Sequence, residues 1–150
     1  MGENVLPIID PELVGAAMYE RDFAAQHLGV ALREIRQGYA CVTMRVADYM
    51  VNGHGICHGG MIFTLADTAF AYACNSYNLV AVAAAAHIEF LAPARLGDVL
   101  KAEANEQAVS GRKGIYDVVV TDQNDNRVAL FRGRSQQTRG EVLARQGNSA

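Results

Sequence analysis

The chain has no tryptophan, and aromatic residues make up only 7% of its 150 positions. Proline occurs three times and cysteine three times. Cys41, Cys57 and Cys74 are widely spaced and form no C-x-x-C pair, so neither a disulfide framework nor a cysteine-based zinc site is indicated. Cysteine usage of this kind is typical of a reducing compartment, and we predict a cytoplasmic protein.

A basic excess and a long hydrophobic run are also missing. The net charge is −3 at pH 7, whereas nucleic-acid-binding proteins gain affinity from lysine and arginine against phosphates. The apolar stretches are interrupted well short of a membrane span. Residues 1–7 lack the basic region and apolar core of a signal peptide. We therefore expect no nucleic acid and no membrane among the partners.

What is present predicts an α+β fold in one domain covering residues 1–150. Asp10-Pro11-Glu12 is typical of a helix start, and Gly29 of a helix end, which together predict a short N-terminal helix over about 11–27. Alternation of apolar residues predicts a strand or hairpin within 30–46. A long central helix is predicted over 60–75, strands over 80–90, 99–109, 115–121 and 128–135, and a frayed tail over about 139–150.

The predicted central helix is apolar on all of its faces and carries a single charge, Asp67. A helix of this kind is buried on every side, so a sheet must wrap it or a partner subunit must cover it. Burying an isolated carboxylate is costly unless something compensates it or a site needs it. Asp67 is therefore either a catalytic group or a structural acid bonded to Thr64 or Thr68.

The polar loop ahead of this helix ends in His58-Gly59-Gly60. Glycines at a helix start leave backbone N–H groups uncrowded, at the place where negative charge is stabilised. Together with Asp67 and with Asn52 in the loop, this pattern indicates hydrolytic or acyl-transfer chemistry. The alternatives stay open: a tight turn that needs glycine, an ordinary Asn-Gly turn, and a structural histidine.

Two other chemistries are not predicted. His54 and His58 are four residues apart, but the glycines around them argue against a helix that would align them as metal ligands. No third ligand is evident in the sequence. Cys57 lacks both an evident base and a feature that would lower the pKa of its thiol, so it is not predicted to be a nucleophile. We expect neither a metal nor a cofactor.

The segment from Asn52 to Asn75 and the later string from Ala94 to Asp98 resemble the hot-dog-fold acyl-CoA thioesterases, in particular the phenylacetic acid degradation (PaaI-type) branch. The His-Gly-Gly triplet followed by an acid is the specific part, and the resemblance covers roughly residues 18–138. It implies a curved antiparallel sheet wrapped around the central helix. It also implies a homodimer or homotetramer with sheets joined edge to edge and active sites shared between two subunits.

The activity implied by this resemblance is hydrolysis of acyl-CoA thioesters, such as phenylacetyl-CoA or ring-hydroxylated arylacetyl-CoA, to the free acid and coenzyme A. Asp67 is then the general base or the nucleophile. The backbone N–H of Gly59 polarises the thioester carbonyl, and Asn52 holds the attacking water or the carbonyl. His58 orients the loop or touches the thioester. Coenzyme A enters as part of the substrate.

Further residues are candidates for substrate binding, because the phosphates of coenzyme A need cations. Each of these cations, taken alone, is also explained as a solvated charge on the protein surface. This chain differs from the family pattern at Ala83 to Ala86. Some relatives carry a serine or threonine there that faces the acid, so the role of that hydroxyl is left without a residue in this chain. The candidates are Gly60, Thr68, Arg95, Arg112, Lys113, Arg132 and Arg134.

Two other functions remain as alternatives. A hot-dog enoyl-CoA hydratase or dehydratase would use a histidine–carboxylate pair, to which His54 or His58 could contribute. A non-catalytic acyl-CoA-binding protein would need an output module, for which 150 residues leave little room. The spacing from His-Gly-Gly to Asp67 favours the thioesterase over both.

Overall fold

The computed structural model of the chain describes residues 8–144. Two short helices come first, and then a hairpin, one long helix and four further strands; a single 3-10 turn, Asp48–Met50, precedes the long helix. The elements are α1 (Pro11–Arg21), α2 (Phe23–His27), β1 (Ala31–Arg36), β2 (Tyr39–Arg45), α3 (Gly59–Asn75), β3 (Leu79–Phe90), β4 (Val99–Ser110), β5 (Lys113–Thr121) and β6 (Arg127–Glu141). This is the predicted α+β architecture, and 30–46 forms a hairpin.

The six strands form one antiparallel sheet in the order β1-β2-β4-β5-β6-β3. The chain passes from β2 through α3 to β3, which lies at the opposite edge of the sheet. Alternate residues of the central strands face α3: in β5, Tyr116, Val118 and Val120 are buried while their neighbours are partly exposed. The sheet therefore wraps the long helix with one apolar face, as period-2 patterning requires.

The predicted helix over 11–27 is wrong at one point, because Asp22 divides it into α1 and α2. Asp22 has φ −87° and ψ 75°, and its side chain accepts a hydrogen bond from the Ala25 N–H at 3.1 Å. Aspartate is a favoured helix cap, so the chain starts a second helix there. Tyr72 of α3 also donates its hydroxyl to Asp22 at 3.2 Å. Gly29 has φ +70°, the left-handed conformation typical of a glycine after a helix.

The predicted tail is also shorter than expected, since residues 139–141 belong to β6. Glu141 pairs with Leu79 at the start of β3. Asn78 then holds Leu143 through two hydrogen bonds: its Nδ2 donates to the carbonyl at 3.0 Å and its Oδ1 accepts from the N–H at 2.8 Å. The prediction of a frayed tail rested on polar composition alone. Polar side chains do not prevent strand pairing, which here satisfies backbone N–H and C=O groups of residues 139–141. Residues 145–150 lie outside the described part of the chain.

The sheet covers only one side of α3 in the single chain. Of the two predicted ways to bury this helix all round, the sheet alone does not suffice, and cover by a partner subunit stays a prediction. Ile62, Leu65, Ala69 and Phe70 are buried against the strands. The opposite face is partly exposed along a stripe that we call the open stripe. It consists of Gly60, Thr64, Asp67, Thr68 and Ala71.

The edge strand β3 is exposed over much of its length, and its exposed residues include Ala83 to Ala86. Residues 83–87 are all exposed. A long, flat edge strand offers unpaired backbone groups to another chain. α3 leads into β3 through residues 76–78, and the two elements pack against each other.

Gly133 of β6 lies where the sheet packs closely against α3. A Cβ atom at Gly133 would lie 2.8 Å from Cε1 and Cζ of Phe70, whose ring is held between Tyr116 and Phe131. Because the ring has little room to move, we expect Gly133→Ala to lower the free energy of unfolding in urea by about 1–3 kcal/mol. Gly53→Ala, which meets nothing within 4 Å, is the control. An unchanged urea midpoint for Gly133→Ala would contradict this packing.

Candidate active site

The start of α3 is organised by the side chain of His58. Its Nδ1 accepts a hydrogen bond from the Gly60 N–H at 2.8 Å, which makes His58 the N-cap of the helix. Since Nδ1 is an acceptor, the neutral ring carries its proton on Nε2. The ring is exposed, so Nε2 is accessible. Gly60, a predicted substrate contact, has its own N–H engaged by this cap.

At the start of α3, the N–H group without a hydrogen-bond acceptor among the described residues is that of Gly59. The first N–H groups of an α-helix have no partner inside the helix. Here the N–H groups of Met61 and Ile62 donate to the carbonyl of His58 at 2.9 and 3.4 Å, and Gly60 uses the His58 ring. Within residues 8–144 the Gly59 N–H has no acceptor. It is therefore free to bind an oxygen that carries negative charge.

Asn52 shapes the loop and still keeps one functional group available. Its Oδ1 accepts from the N–H groups of His54 and Ile56 at 3.0 and 3.4 Å, and its carbonyl accepts from the Gly55 N–H at 3.0 Å. These bonds are those of a polar turn. The Nδ2 amide of Asn52 has no partner in the described part of the chain. The turn interpretation and the functional one are therefore compatible.

Asn52 and Gly59 line the same cavity, which we call the Gly59 cavity. Its volume is about 490 Å³. The ring of Phe90 stands against Gly59, because a Cβ atom built there would lie 3.0 Å from Cζ of Phe90. Its lining residues are Asn52, Ile56, Cys57, Gly59, Ile62, Phe90, Leu91, Ala92 and Pro93.

The sequence analysis did not single out Phe90. The available signal was an apolar run, Phe90-Leu91-Ala92, placed at the end of a strand directly before Pro93. A strand that leaves the sheet has no core for consecutive apolar side chains, because such side chains point to opposite faces. Apolar residues at such a position therefore line a cavity or an interface.

Asp67 lies half-buried in the middle of the open stripe, without compensation. The hydroxyls of Thr64 and Thr68 donate to the backbone carbonyls of Gly60 and Thr64 at 2.8 and 2.7 Å, not to the carboxylate. Among the described residues, Asp67 has neither a hydrogen bond nor an ion pair. Desolvation by burial raises the pKa of its carboxyl above the ordinary value. The geometry thus gives no support to the structural interpretation that the sequence left open.

Gly59 and Asp67 of one chain are too far apart to act on one carbonyl. They are eight residues apart on α3, which is about 12 Å along the helix axis. A group that accepts a hydrogen bond from Gly59 lies about 3 Å from its nitrogen. One chain therefore holds two separate parts of a site.

Two of the predicted cations lie at the other end of α3. Arg112, on the turn after β4, and Lys113, the first residue of β5, line a second cavity of about 410 Å³ together with Leu79 and Ala81, which we call the Lys113 cavity. Glu106 is also part of its wall and accepts the hydroxyls of Tyr77 and Tyr116 at 3.1 and 3.0 Å.

The remaining predicted cations are not brought to either cavity. Arg132 binds Asp117 through two bonds of 2.6 and 2.8 Å, and this guanidinium lowers the pKa of the Asp117 carboxyl. Arg134 is exposed on the same outer face of β6. Arg95 is exposed on the turn before β4.

His54 and Cys57 take positions that favour neither a metal nor a cysteine nucleophile. His54 is exposed in the loop, whereas Cys57 is buried. Burial raises the pKa of the Cys57 thiol, which disfavours the reactive thiolate. Residues 8–144 contain no group of three or more His, Cys, Asp or Glu side chains able to hold a metal ion.

Comparison with known proteins decides the family. The family model of the Thioesterase superfamily matches residues 54–129, from the loop ahead of α3 into β6. The chain belongs to the Thioesterase superfamily. Within this superfamily it is similar to the acyl-coenzyme A thioesterase PaaI of Escherichia coli (strain K12), with 48% identity over 126 residues that cover 84% of this chain and 90% of that protein.

Solved structures of the Thioesterase superfamily agree. The E. coli PaaI protein from the phenylacetic acid degradation operon superposes with a TM-score of 0.87 and 46% identity, covering 88% of this chain and 96% of that one. A Streptococcus mutans protein solved with bound acetyl-CoA gives a TM-score of 0.71 at 29% identity, over 75% of this chain and 90% of that one. These findings confirm the hot-dog fold, the predicted PaaI-type family of acyl-CoA thioesterases and the enzyme class, thioester hydrolase.

Across residues 8–144, no helix is both long and apolar enough to cross a bilayer.

The uncompensated burial of Asp67 predicts a dependence of stability on pH. Because its folded-state pKa is raised, the folded chain holds the proton more tightly than the unfolded chain. Stability is therefore lost as pH rises from the ordinary carboxyl value to the raised one. We expect Asp67→Asn to raise the Tm at pH 7, with the gain disappearing below about pH 4.

Thermal unfolding from pH 3.5 to 8 measures this effect. Glu20→Gln, the same change on an exposed position of α1, serves as the control and should leave the Tm nearly unchanged. A lower Tm for Asp67→Asn at pH 7 would mean that the carboxylate makes a stabilising contact.

Proposed function

We propose that this thioesterase hydrolyses acyl-CoA esters of arylacetic acids, such as phenylacetyl-CoA or its ring-hydroxylated forms, to the free acid and coenzyme A in the cytoplasm. The observation that carries the proposal is that α3 holds two groups without partners among the described residues: the N–H of Gly59 and the carboxylate of Asp67. Similarity to PaaI of E. coli supports the acyl-CoA class and the arylacetyl group. The free state of all three cysteines, Cys41, Cys57 and Cys74, supports the cytoplasm.

In this proposal the thioester carbonyl oxygen accepts a hydrogen bond from the Gly59 N–H. When the carbonyl carbon is attacked, its oxygen becomes negatively charged. The N–H and the start of α3 stabilise that charge. The Asn52 Nδ2 amide lies in the same cavity and holds the attacking water or the carbonyl. His58 keeps Gly60 engaged, so that the free donor is confined to Gly59.

Asp67 supplies the basic group. As a general base it removes a proton from water, which attacks the carbonyl carbon, and the thiolate of coenzyme A leaves. As a nucleophile it attacks the carbonyl carbon itself, the C–S bond breaks and the thiolate of coenzyme A leaves; water then cleaves the resulting mixed anhydride to the free acid and the Asp67 carboxylate. Both routes need the ionised carboxylate. The raised pKa of Asp67 makes this carboxylate a stronger base than an exposed one.

The reacting groups come together when two copies of the chain pair. The β3 edges of two copies join antiparallel about a two-fold axis, which buries the exposed alanines of both. The start of one β3 then lies next to the end of the other. Because Phe90 ends β3 and Leu79 begins it, the Gly59 cavity of one subunit faces the Lys113 cavity and Asp67 of the partner subunit. A homodimer is the smallest active unit, and a homotetramer contains two of them.

This arrangement also ranks the predicted substrate-binding residues. Arg112 and Lys113 lie in the cavity that the pairing adds to the site, so they are placed to meet the phosphates of coenzyme A. Gly60 and Thr68 lie on the open stripe, where they contact the bound ester. Arg95 and Arg134 are farther out and act, at most, as general attraction for the polyanionic substrate.

The hydratase alternative requires a histidine–carboxylate pair for proton transfer. Neither His54 nor His58 contacts Asp67 in the part of the chain that the structure describes, and His58 Nδ1 is engaged by Gly60. The non-catalytic alternative is separated from the proposal by an activity assay.

Replacement of the proposed base should stop the reaction. We expect Asp67→Ala to lower kcat for phenylacetyl-CoA by about 10²–10⁴-fold, because general base catalysis contributes that much, while the ester still binds. Thiol release, read with a thiol reagent, measures kcat. Glu20→Ala, which removes an exposed carboxylate from α1, should retain full activity. Turnover close to wild type in Asp67→Ala would remove Asp67 from the mechanism.

The shared site predicts complementation between two inactive variants. Gly59→Pro removes the free N–H yet suits the first position of a helix, and His58 already has the extended backbone that precedes proline, with ψ 131°. A Cβ at position 59 meets only the tip of the Phe90 side chain, at 3.0 Å, and that exposed ring has room to turn away. Co-expressed with Asp67→Ala, Gly59→Pro forms mixed dimers in which one of two sites is intact. Random pairing should restore about a quarter of wild-type activity.

Each variant expressed alone is the control and should show almost no thiol release. If co-expression restores nothing although mixed dimers are isolated through two different tags, both groups act within one chain and the shared site is wrong.

A further inference from the structure

Phe90 has a side chain whose position the fold does not explain. It is the last residue of β3 and pairs with Ala129 of β6. Its side chain is 52% exposed and is not part of the buried core or of the residues packed against that core. The aromatic contacts of the core join Phe63, Phe70 and Phe131 with Tyr116 instead. Phe90 and its neighbour Leu91, each 52% exposed, form one apolar wall of the Gly59 cavity. A contiguous apolar surface of this kind indicates a contact with something other than this chain.

The ring lies against the residue that carries the free N–H. A Cβ atom built on Gly59 would be 3.0, 3.3 and 3.5 Å from Cζ, Cε1 and Cε2 of Phe90. The ring therefore occupies the space that a side chain at position 59 would fill. An oxygen bound to the Gly59 N–H would lie about 3 Å from that nitrogen. The atoms attached to a carbonyl bound there are thus within reach of the Phe90 ring.

The apolar Gly59 cavity suits the acyl group of an acyl-CoA ester better than it suits the polar coenzyme A arm. Its walls are apolar, with Ile56, Ile62 and Leu91 beside Phe90, and Asn52 is the one amide side chain among the lining residues. The arm of coenzyme A carries amides and hydroxyls that need polar partners, whereas an aromatic acyl group needs none. Phe90 is the one aromatic residue in this lining, and aromatic rings attract each other in offset or edge-to-face pairs.

We infer that Phe90 recognises the ring of an aromatic acyl group and thereby sets the acyl specificity of the enzyme. This inference rests on the proposed function, because it takes the thioester carbonyl to be bound at Gly59. Phe90 contacts the acyl ring through its exposed face, while its other side packs on Gly59. The acyl ring enters between Phe90 and the aliphatic walls, and the coenzyme A arm leaves toward the polar side of the site.

The test compares two esters on three proteins. Wild type, Phe90→Ala and Phe90→Leu are assayed for thiol release with phenylacetyl-CoA and with butanoyl-CoA. We expect Phe90→Ala to lower kcat/KM by about 10-fold or more for phenylacetyl-CoA and by less than about 3-fold for butanoyl-CoA, because the lost contact is with the ring. Phe90→Leu keeps apolar bulk, so it should retain activity on butanoyl-CoA and stay impaired on phenylacetyl-CoA.

Phe23→Ala is the matched control, since Phe23 is 73% exposed and does not line the Gly59 cavity; it should change neither value. Equal losses on both esters, or no loss on phenylacetyl-CoA, overturn the role of Phe90 while an active wild type keeps the proposed function. A wild type that releases thiol from neither ester removes the proposed function, and this inference falls with it. If Phe90→Ala fails to fold by thermal unfolding, Phe90→Leu decides by the same criterion.

Discussion

The covering of one apolar helix is the constraint on which the rest of this structure depends. Six strands of one chain enclose a single side of α3, since a curved sheet can contact only the face that it wraps. The other side, which includes Asp67, stays partly open beside the unpaired edge of β3. Both features are unfavourable in an isolated chain. In the proposed dimer, pairing with a second copy at that edge would relieve both, so the proposed association and the proposed catalysis have a common origin in the way α3 is packed.

In the candidate site, the start and the middle of α3 have different roles. At the start of α3, the His58 ring engages the N–H of Gly60, and the N–H of Gly59 has no acceptor within residues 8–144, so a cap defines the position of the proposed anion-binding group. In the middle of the helix, Asp67 is kept basic by partial burial without a compensating cation. An ion pair there would stabilise the fold and lower the pKa of the carboxyl. In the proposed mechanism the chain thus keeps a carboxylate that is costly for stability and useful for chemistry.

Much of this was readable from the sequence, for definite reasons. The helix over 60–75 and the strands after it follow from apolar periodicity, which local geometry imposes directly. Gly59 and Asp67 stood out because a glycine pair and a lone acid are unusual on an apolar helix. The errors came where local pattern was not decisive. Asp22 was placed inside a helix although it caps the next one, and residues 139–141 were judged frayed although β3 pairs with them.

The sequence by itself determined the order of the strands and of the long helix, and it indicated the family, because these depend on periodicity, caps and short motifs along the chain. Only the tertiary structure decided that Gly60 is engaged while Gly59 is free, that Arg112 and Lys113 line a different cavity from Asn52, and that Phe90 stands against Gly59. Each of these depends on which distant segments meet when the sheet curves around α3. No local pattern specifies such meetings, because the register between β3 and β6 and the wrapping of the helix are set by the whole core.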